Sequence, residues 1–365
     1  MTKIKVMHVI ARMNLGGTAK YLVDLTSNIP NSLLVTGYVQ ESEIEAPNLD
    51  NDRLIRVRHL GRRISPINDA IAWFELLKLV RLHRPQVMHT HTFKAGLIGR
   101  LVPGRFRRVH TFHGHLFEDP TFSRPEKIAI RLAEKLLARR TDIFISVGMR
   151  VGREIRDLGI GRDKQWFSIS PGVEGLTICE MADARQALNL EREGLIIGWI
   201  GRMTGVKNPH LLLEVARKLP NIRFVMAGGG DLLPEISRNS PSNVDVIGWA
   251  DAGRFLSAVN CVISTSENEG MPIALIEAQL AGKVVIATDV GSNSEVVEHE
   301  VTGLLVKNNA EAIVDSLKYL VDNPILMTQM SEAAARLSPK KFSLETMLQN
   351  HRFIYSEITE INVSQ

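Results

Sequence analysis

Cysteine is scarce in this chain of 365 residues, which contains only Cys179 and Cys261. They are far apart and lack a Cys-x-x-Cys spacing, which excludes a disulfide framework and a cysteine-rich zinc site. No uncharged apolar run reaches the roughly 18 residues that a membrane-spanning helix needs. The apolar stretch at the start is too short for a secretory signal and has no cleavage pattern after it. We therefore expect a cytoplasmic protein that does not cross a membrane.

Charge is nearly balanced overall but uneven along the chain. Hydrophobic residues at 44% and charged residues at 23% are typical of a globular protein and exclude a disordered or fibrous chain. Residues 1–180 carry 28 Lys and Arg against 18 Asp and Glu, net +10, and the remainder carries 16 against 22, net −6. A basic half favours an anionic partner such as nucleic acid, a membrane surface or phosphates, although an unevenly charged solvated surface is the alternative.

Short β-branched apolar segments alternate with helical patterns along the whole chain. In the first half the predicted strands are residues 5–10, 33–39, 87–90, 109–112, 143–147 and 167–170. In the second half they are residues 195–200, 223–227, 244–247, 261–264 and 284–288. Continuous apolar strands are typical of parallel sheets buried on both faces. Each half is therefore predicted to form its own doubly wound α/β domain.

The domain boundary is expected near residue 180. The strand pattern stops after Pro171-Gly172-Val173, and a polar helical stretch precedes the next strand. This places one Rossmann-like domain at residues 1–180 and a second at 181–342. Residues 343–365 carry an apolar stripe that predicts a closing helix.

Two features of the first half indicate a ligand site. Gly16-Gly17 stands where the first strand turns into a helix, so free N–H groups and the helix dipole would suit a phosphate; a simple turn is the alternative. His89 and His91 share one face of a strand, and further histidines surround the next strand end at positions 110, 113 and 115. Because no carboxylate or cysteine accompanies them at ligand spacing, a general base or phosphate donor is favoured over a metal site.

The second half has fixed cations and glycines at its strand ends. Arg202 follows the strand 195–200, and Lys207 lies five residues later at the mouth of the next helix. Two cations at the carboxyl end of a strand suit a diphosphate, although solvated charges are the alternative. Gly228-Gly229-Gly230 again joins a strand to a helix, where it would let a ligand approach the backbone or simply form a tight turn.

The most specific segment runs from Ser266 to Ala278, with Glu269 and Glu277 eight residues apart across a helix start. Pro272 fits the first helical turn, so the free N–H groups there would face a phosphate. Glu277 falls inside the helix, where a carboxylate needs a hydroxyl or cation partner. A ribose diol would meet that need.

Taken in order, these motifs resemble the retaining GT-B glycosyltransferases of family 4. The resemblance rests on Glu269 and Glu277 in EGMPIALIEA, Gly201-Arg202 with Lys207, the Gly16-Gly17 loop, His89-Thr-His91 and Thr111-Phe-His113-Gly-His115. It covers nearly the whole chain. Pro171-Gly172-Val173 departs from it by one residue, because the family usually shows Pro-Asn-Gly-Val there.

The resemblance implies two Rossmann-like domains facing across a cleft, with a nucleotide sugar on the second. Glu277 would bind ribose hydroxyls, Arg202 and Lys207 the diphosphate, Glu269 the transferred sugar, and His113 a hydroxyl near the reacting carbon. The implied catalytic residues are His113, Glu269, Arg202 and Lys207. The implied donor-binding residues are Gly16, Gly17, Arg202, Lys207, Gly229, Trp249, Glu269, Gly270, Met271, Pro272, Ile273 and Glu277.

The resemblance also implies an acceptor on the first domain, with His89, His91 and Lys94 on the acceptor side, and a closing helix that returns to that domain. No metal or other cofactor is expected. A UDP-sugar is the expected donor, and a glycan, lipid-linked, is the expected acceptor in polysaccharide or glycoconjugate synthesis. With the basic first half, this predicts a peripheral position on the inner face of the cytoplasmic membrane.

Two other classes of function stay open. A GT-B epimerase or a phosphorylase-like enzyme would share the architecture. A non-catalytic basic binding module, for nucleic acid, is disfavoured because no aromatic residues interleave with the basic ones and no nucleic-acid motif is present.

Overall fold

The computed structural model describes residues 5–40, 43–61, 64–114, 117, 122–174 and 176–360. These residues form two compact units. The first contains the described residues of Met1–Phe117, Phe122–Gly172 and Leu344–Gln365, and the second contains those of Val173–Ser343. Among the described helices, none combines the length and the apolar character needed to cross a bilayer.

The first unit is built on a sheet whose strands all run parallel. Within the described residues the strands are β1 Val6–Ile10, β2 Ser32–Thr36, β3 Leu54–Arg56, β4 Val87–His91, β5 Arg107–Phe112, β6 Ile143–Ser146 and β7 Gln165–Ser168. Their order is β3-β2-β1-β4-β5-β6-β7. All residues of β1 and β4 are buried, as expected for strands covered on both faces. The direction of strand addition reverses between β1 and β4.

Helices cover both faces of this sheet. They are α1 Gly17–Asn28, α2 Pro66–His83, α3 Thr92–Gly99, α4 Arg124–Ala138 and α5 Met149–Asp157. Right-handed crossovers place α1 on one face and α2 to α5 on the other, and α3 packs between α2 and α4. Ser123 and Glu126 form a capping box that begins α4.

The second unit repeats this plan with a sheet of order β10-β9-β8-β11-β12-β13. Its described strands are β8 Ile196–Ile200, β9 Arg223–Ala227, β10 Val244–Gly248, β11 Cys261–Ser264, β12 Val284–Thr288 and β13 Gly303–Val306. Its helices are α6 Met181–Ala187, α7 Pro209–Lys218, α8 Leu233–Asn239, α9 Ala252–Ala258, α10 Ile273–Leu280, α11 Asn293–Val296, α12 Ala310–Asp322 and α13 Pro324–Lys341. The strand order reverses between β8 and β11.

The last helix, α14 Leu344–Glu360, belongs to the first unit although it follows the second in sequence. His351 of α14 contacts Tyr21 of α1, with 2.9 Å between the ring Nε2 and the hydroxyl. Arg107 Nε donates to the carbonyl oxygen of Ile358 at 3.1 Å. The predicted α/β class, with two doubly wound sheets and a closing helix that returns to the first unit, is confirmed.

The predicted domain boundary near residue 180 is corrected to the bond between Gly172 and Val173. The segment after it already packs on the second unit, since the amide of Cys179 donates to Ser257 Oγ at 3.1 Å. The prediction also missed β3 and β13. β3 has only three residues, too few for an apolar pattern to stand out from the adjoining loops. β13, Gly303–Val306, begins with a glycine, a residue that is depleted in strands.

Candidate functional site

In the second unit, the predicted site residues lie where β8 and β11 end. These two strands are neighbours, and the chain leaves β8 toward β9 on one side while β11 adjoins it on the other. In open α/β sheets, ligands bind outside the carboxyl ends of the strands at such a switch point. Arg202 and Lys207 follow β8, and Glu269 follows β11.

An ion pair joins the two sides of this switch point. The ammonium group of Lys207 contacts Glu269 Oε1. Ser266 Oγ donates to the same carboxylate oxygen at 2.7 Å, and Glu269 is 8% exposed. Thr265 Oγ1 donates to the backbone oxygen of Lys207 at 2.9 Å and accepts from the indole of Trp199 at 2.9 Å. Lys207 is therefore held in place at both its backbone and its ammonium group. Arg202, five residues before it, is partly buried.

The glycine run after β9 brings backbone close to the same edge. A Cβ on Gly228 would lie 1.8 Å from the carbonyl oxygen of Gly201, so no side chain fits there. A Cβ on Gly229 would lie 2.4 Å from Nε1 of Trp249, which is 44% exposed. The absence of side chains leaves main-chain groups and a flat indole beside each other, a surface that suits a planar ring.

The start of α10 completes this edge of the sheet. Gly270, Met271 and Pro272 precede the helix, and Ile273 is its first residue, so Pro272 is the N-cap residue and does not lie in the first helical turn as predicted. Gly291, with φ of 48°, would place a Cβ 1.8 Å from the carbonyl oxygen of Glu269 and so packs directly on this loop.

Glu277 lies inside α10 and is 8% exposed. A carboxylate so placed is stable only with polar partners. The second unit thus places the residues that the sequence predicted to bind a donor after the carboxyl ends of neighbouring strands of one sheet.

In the first unit, Gly16 and Gly17 follow β1 at the corresponding switch point. Gly16 precedes α1 with φ of 153° and ψ of 178°, a conformation that is essentially restricted to glycine. Gly17 is exposed and no acidic residue occurs in the first turn of α1. This helix start therefore keeps the features that suit an anion.

Histidines of the first unit form a buried network on the face covered by α1 and α14. His89 Nδ1 lies 2.6 Å from the hydroxyl of Tyr355, and its Nε2 lies 2.6 Å from Thr111 Oγ1. His91 lies 3.2 Å from His8 and 3.1 Å from His113, measured between ring nitrogens. The predicted acceptor-side role of His89 is therefore corrected, because its ring is fully buried and both nitrogens bind core partners.

The network keeps its imidazoles neutral. Burial lowers the pKa of His8 to about 3 and that of His351 to about 4, and it holds the pKa of His89 and His91 well below their usual range. His113 is partly exposed, and burial with His351 nearby lowers its pKa to about 3. A neutral His113 can donate or accept a hydrogen bond but does not act as a cation. His115 lies outside the described residues.

Lys94 is not presented to an acceptor in this structure. It is 6% exposed, and its ammonium group is paired with Asp69 of α2. The strand-to-helix turn before it is strained, since Thr92 has φ of 64°, a conformation that costs a non-glycine residue about 1 to 3 kcal/mol. Such strain is common at functional sites. Thr92 adjoins His91, whose ring is also fully buried and bonded through both nitrogens, so the predicted acceptor-side role of His91 is corrected as well.

Three ring nitrogens, one each from His8, His89 and His91, lie within 4.8 Å of one another, which is close enough for one metal ion to be shared. The sequence reasoning missed His8, and with it Tyr21, His351 and Tyr355. The only available signal was a histidine inside the apolar strand Val6–Ile10. The helix residues that complete the network are about 260 to 330 positions away from their partners, and no local pattern connects them.

Comparison with family models gives matches over both units. The model described as glycosyl transferases group 1 matches residues 180–337, and the glycosyl transferase 4-like domain matches residues 16–167. The chain is 27% identical over 351 residues to an Escherichia coli UDP-Gal:alpha-D-GlcNAc-diphosphoundecaprenol alpha-1,3-galactosyltransferase, covering 89% of this chain and 90% of that protein.

Solved structures share the fold across both units. Sucrose-phosphate synthase from Thermosynechococcus elongatus superposes with a TM-score of 0.84 at 18% identity, covering 98% of this chain and all of that one. HepE from Anabaena, in complex with UDP-glucose, superposes with a TM-score of 0.82 at 19% identity, covering 97% of this chain and all of HepE.

Proposed function

The chain belongs to the group 1 glycosyltransferases, which are GT-B enzymes of family 4, and from this premise we propose the reaction that it catalyses. It transfers a hexose, with retention of configuration, from a UDP-sugar to a hydroxyl of a lipid-linked glycan. The Escherichia coli relative, by its name, uses UDP-galactose and a diphosphoundecaprenol-linked acceptor. HepE was solved with UDP-glucose.

The observation that carries the proposal is the Lys207–Glu269 ion pair at the β8/β11 switch point. Cleavage of the bond between sugar and phosphate creates an oxocarbenium-like centre and a departing diphosphate. Fixed cations and helix N-termini aimed at the leaving group lower this barrier most. Arg202 and Lys207 would bind the diphosphate, Glu269 the sugar and Glu277 the ribose.

Retention is proposed to proceed by attack on the same face that the diphosphate leaves. The departing phosphate accepts the proton of the acceptor hydroxyl, which becomes the new glycosidic oxygen. A covalent intermediate would instead need a carboxylate nucleophile against the sugar. Glu269 is held by Lys207 and Ser266, an arrangement that suits hydroxyl binding rather than nucleophilic attack.

Donor binding is expected to weaken in two single variants. Glu277→Ala removes the proposed ribose contact and Arg202→Ala the diphosphate contact, each worth about 1.5 to 3 kcal/mol as hydrogen bonds to charged groups. Calorimetric titration with UDP measures the loss, and Arg217→Ala, on the exposed side of α7, serves as the matched control. Unchanged affinity in both folded variants would move the nucleotide site elsewhere.

A thermal-shift panel of UDP, GDP, ADP and TDP tests the base, since only a ligand of the native state raises stability. Transfer itself is tested with UDP-galactose and UDP-glucose against a GlcNAc-diphosphoundecaprenol acceptor. UDP release that requires the acceptor supports a transferase. Interconversion of epimeric UDP-sugars without net UDP release would instead indicate an epimerase, and transfer of the sugar to or from inorganic phosphate would indicate a phosphorylase-like enzyme.

The reaction is proposed to need no metal, because Arg202 and Lys207 supply the positive charge that a divalent cation supplies in other transferases. Treatment with EDTA, followed by removal of the chelator, is expected to leave the transfer rate unchanged. A loss of activity that Mg²⁺, Mn²⁺ or Zn²⁺ restores would contradict this.

The acceptor side is proposed to work at an anionic membrane surface from the cytoplasmic side. Residues 1–180 carry a net charge of +10. On α4, Ile128, Leu132 and Leu136 form one row at 60%, 57% and 62% exposure. The adjacent row is basic, comprising Lys127, Arg131 and Lys135. This row of apolar side chains does not face the core, and its basic flank matches anionic lipid headgroups.

Binding to vesicles is expected to depend on both charge and the apolar row. The protein should sediment with phosphatidylglycerol vesicles at low salt and be released at high salt, because each basic residue contributes about 1 kcal/mol near an anionic surface. Leu132→Glu should weaken binding, whereas Ile325→Glu, at an even more exposed position of the second unit, should not. Equal failure of the wild type to bind anionic and neutral vesicles would favour a soluble acceptor.

A further inference from the structure

His91 lies between two other imidazoles in the buried network of the first unit. Its Nε2 is 3.2 Å from His8 Nδ1, and its Nδ1 is 3.1 Å from His113 Nε2. His8 and His91 are fully buried, whereas His113 is partly exposed. The three rings therefore form one hydrogen-bonded series that leads from the core to the surface.

The series has a direction because each ring is neutral. A neutral imidazole has one N–H donor and one acceptor nitrogen. His91 is bonded through both nitrogens, so it donates with one and accepts with the other. Either His8 donates to His91 and His91 donates to His113, or both bonds run the opposite way.

The inner end of the series distinguishes these two arrangements. His8 Nε2 is buried and has no hydrogen-bond partner in the described part of the chain. If His8 donates to His91 and His91 donates to His113, this nitrogen is an acceptor without a partner. If both bonds run the opposite way, it is an N–H donor without a partner. Buried N–H groups without partners are the rarer of the two kinds in native proteins. The arrangement in which His8 donates to His91 and His91 donates to His113 is therefore favoured.

We propose that His8 and His91 are positioning residues that hold His113 as the tautomer protonated on Nδ1. His91 Nδ1–H donates to His113 Nε2, which leaves the Nδ1–H of His113 as a donor for a hydroxyl of the transferred sugar. The sugar contact rests on the proposed function, whereas the tautomer does not. The assignment makes His113 a hydrogen-bond donor rather than a general base.

The surrounding contacts support this assignment. His89 is engaged with Tyr355 and Thr111 and so does not compete for His91. The ring of Tyr21 meets that of His113 edge to face, with 4.9 Å between centroids, which limits rotation of the histidine ring. The low pKa of His113 keeps the ring in its neutral form at about pH 7.

The tautomer can be read directly by NMR on the full chain with ¹⁵N-labelled histidine. Two-bond ¹H–¹⁵N spectra distinguish a protonated from an unprotonated ring nitrogen, and the signals that disappear in His113→Asn identify this ring. We expect Nδ1 protonated and Nε2 unprotonated. The reverse pattern in the wild type overturns the proposal.

Two substitutions of His91 separate positioning from packing. His91→Asn can still donate an amide N–H from about the place of Nδ1, whereas His91→Leu cannot. We expect His91→Leu to lower kcat about 100-fold, since a misplaced catalytic group costs this much, with donor KM nearly unchanged, and His91→Asn to restore most of the turnover. His110→Asn, a buried histidine on the opposite face of the sheet that contacts Thr90, should retain the wild-type tautomer and rate.

These experiments distinguish failure of the positioning proposal from failure of the proposed function. A folded His91→Leu with wild-type kcat and an unchanged His113 spectrum would overturn the positioning role. If the tautomer is as expected but His113→Ala turns over normally, the sugar contact is wrong and the tautomer assignment stands. Simultaneous shifts of His8, His89 and His91 on stoichiometric addition of Zn²⁺ would also overturn the proposal, because a metal would then occupy the same nitrogens.

Discussion

Acidification from about pH 7.5 to about pH 5 is expected to unfold the first unit while the second stays folded. The first unit contains five histidines with no exposed surface, His8, His89, His91, His110 and His351. Burial lowers the pKa of each of them. The second unit has only His210 and His299, and both are exposed.

The direction in which stability changes with pH follows from the number of protons bound by the folded and unfolded states. Below the unfolded-state pKa of about 6.5, the unfolded chain binds protons that the folded unit does not, so stability falls as pH falls. The loss continues down to the folded-state values, about 3 for His8 and about 4 for His351. Each histidine costs about 1.4 kcal/mol per pH unit in this range. Five of them remove roughly 7 kcal/mol at about pH 5.5, which is comparable to the whole stability of a domain.

Hydrogen exchange measured by mass spectrometry at a series of pH values resolves the two units. Amides of β4 and β5 should lose protection at higher pH than those of β8 and β11. The variant His210→Gln, altered at an exposed histidine of the second unit, should leave both transitions unchanged. A first unit that stays protected at about pH 4.5, or a single transition shared by both units, would contradict the expectation.

Lys207→Ala is expected to lower kcat by about 10² to 10³, the usual cost of removing one preorganised group that stabilises transition-state charge. The ammonium group lies beside Glu269 at the β8/β11 switch point. The substitution also removes the ammonium group that pairs with Glu269, while Ser266 Oγ still donates to this carboxylate. Part of any loss could therefore come from a disturbed loop, which the double variant Lys207→Ala/Glu269→Gln tests.

The double variant should regain thermal stability but not turnover, because the amide removes the uncompensated charge without supplying a cation for the diphosphate. Lys218→Ala, which breaks the exposed Lys218–Glu311 pair, is the matched control and should leave kcat unchanged. Wild-type turnover in folded Lys207→Ala, measured by UDP release at saturating donor, would remove Lys207 from the catalytic machinery.

Sequence patterns were most informative where local chemistry decides the structure. The β-branched segments predicted eleven of the described strands within a few residues, and only β3 and β13 were missed. Parallel strands buried on both faces must be continuously apolar, so their pattern is visible without tertiary information. The Gly228 turn was also predictable, since its φ of 135° requires glycine.

The two units differ in how well the sequence located their site residues. In the second unit, Arg202, Lys207 and Glu269 follow neighbouring strands, and the carboxyl ends of parallel strands meet at one edge. The sheet topology therefore places these three residues near one another, and their order along the chain was enough to predict this. In the first unit, His89 was interpreted as facing an acceptor, although it lies in the core. The pairing with Tyr355 is set by where α14 returns, and strand periodicity contains no information about that.

The sequence by itself determined the α/β class, the two doubly wound units and the motifs that identify a glycosyltransferase, because these depend on the order and spacing of residues. Only the tertiary structure decided which polar groups are paired in the core and which apolar ones face outward. His8 joined the histidine network, and Leu132 and its neighbours on α4 became an exposed row. Burial and pairing depend on contacts between segments far apart in sequence, and the free energy of a polar or apolar side chain depends on those contacts.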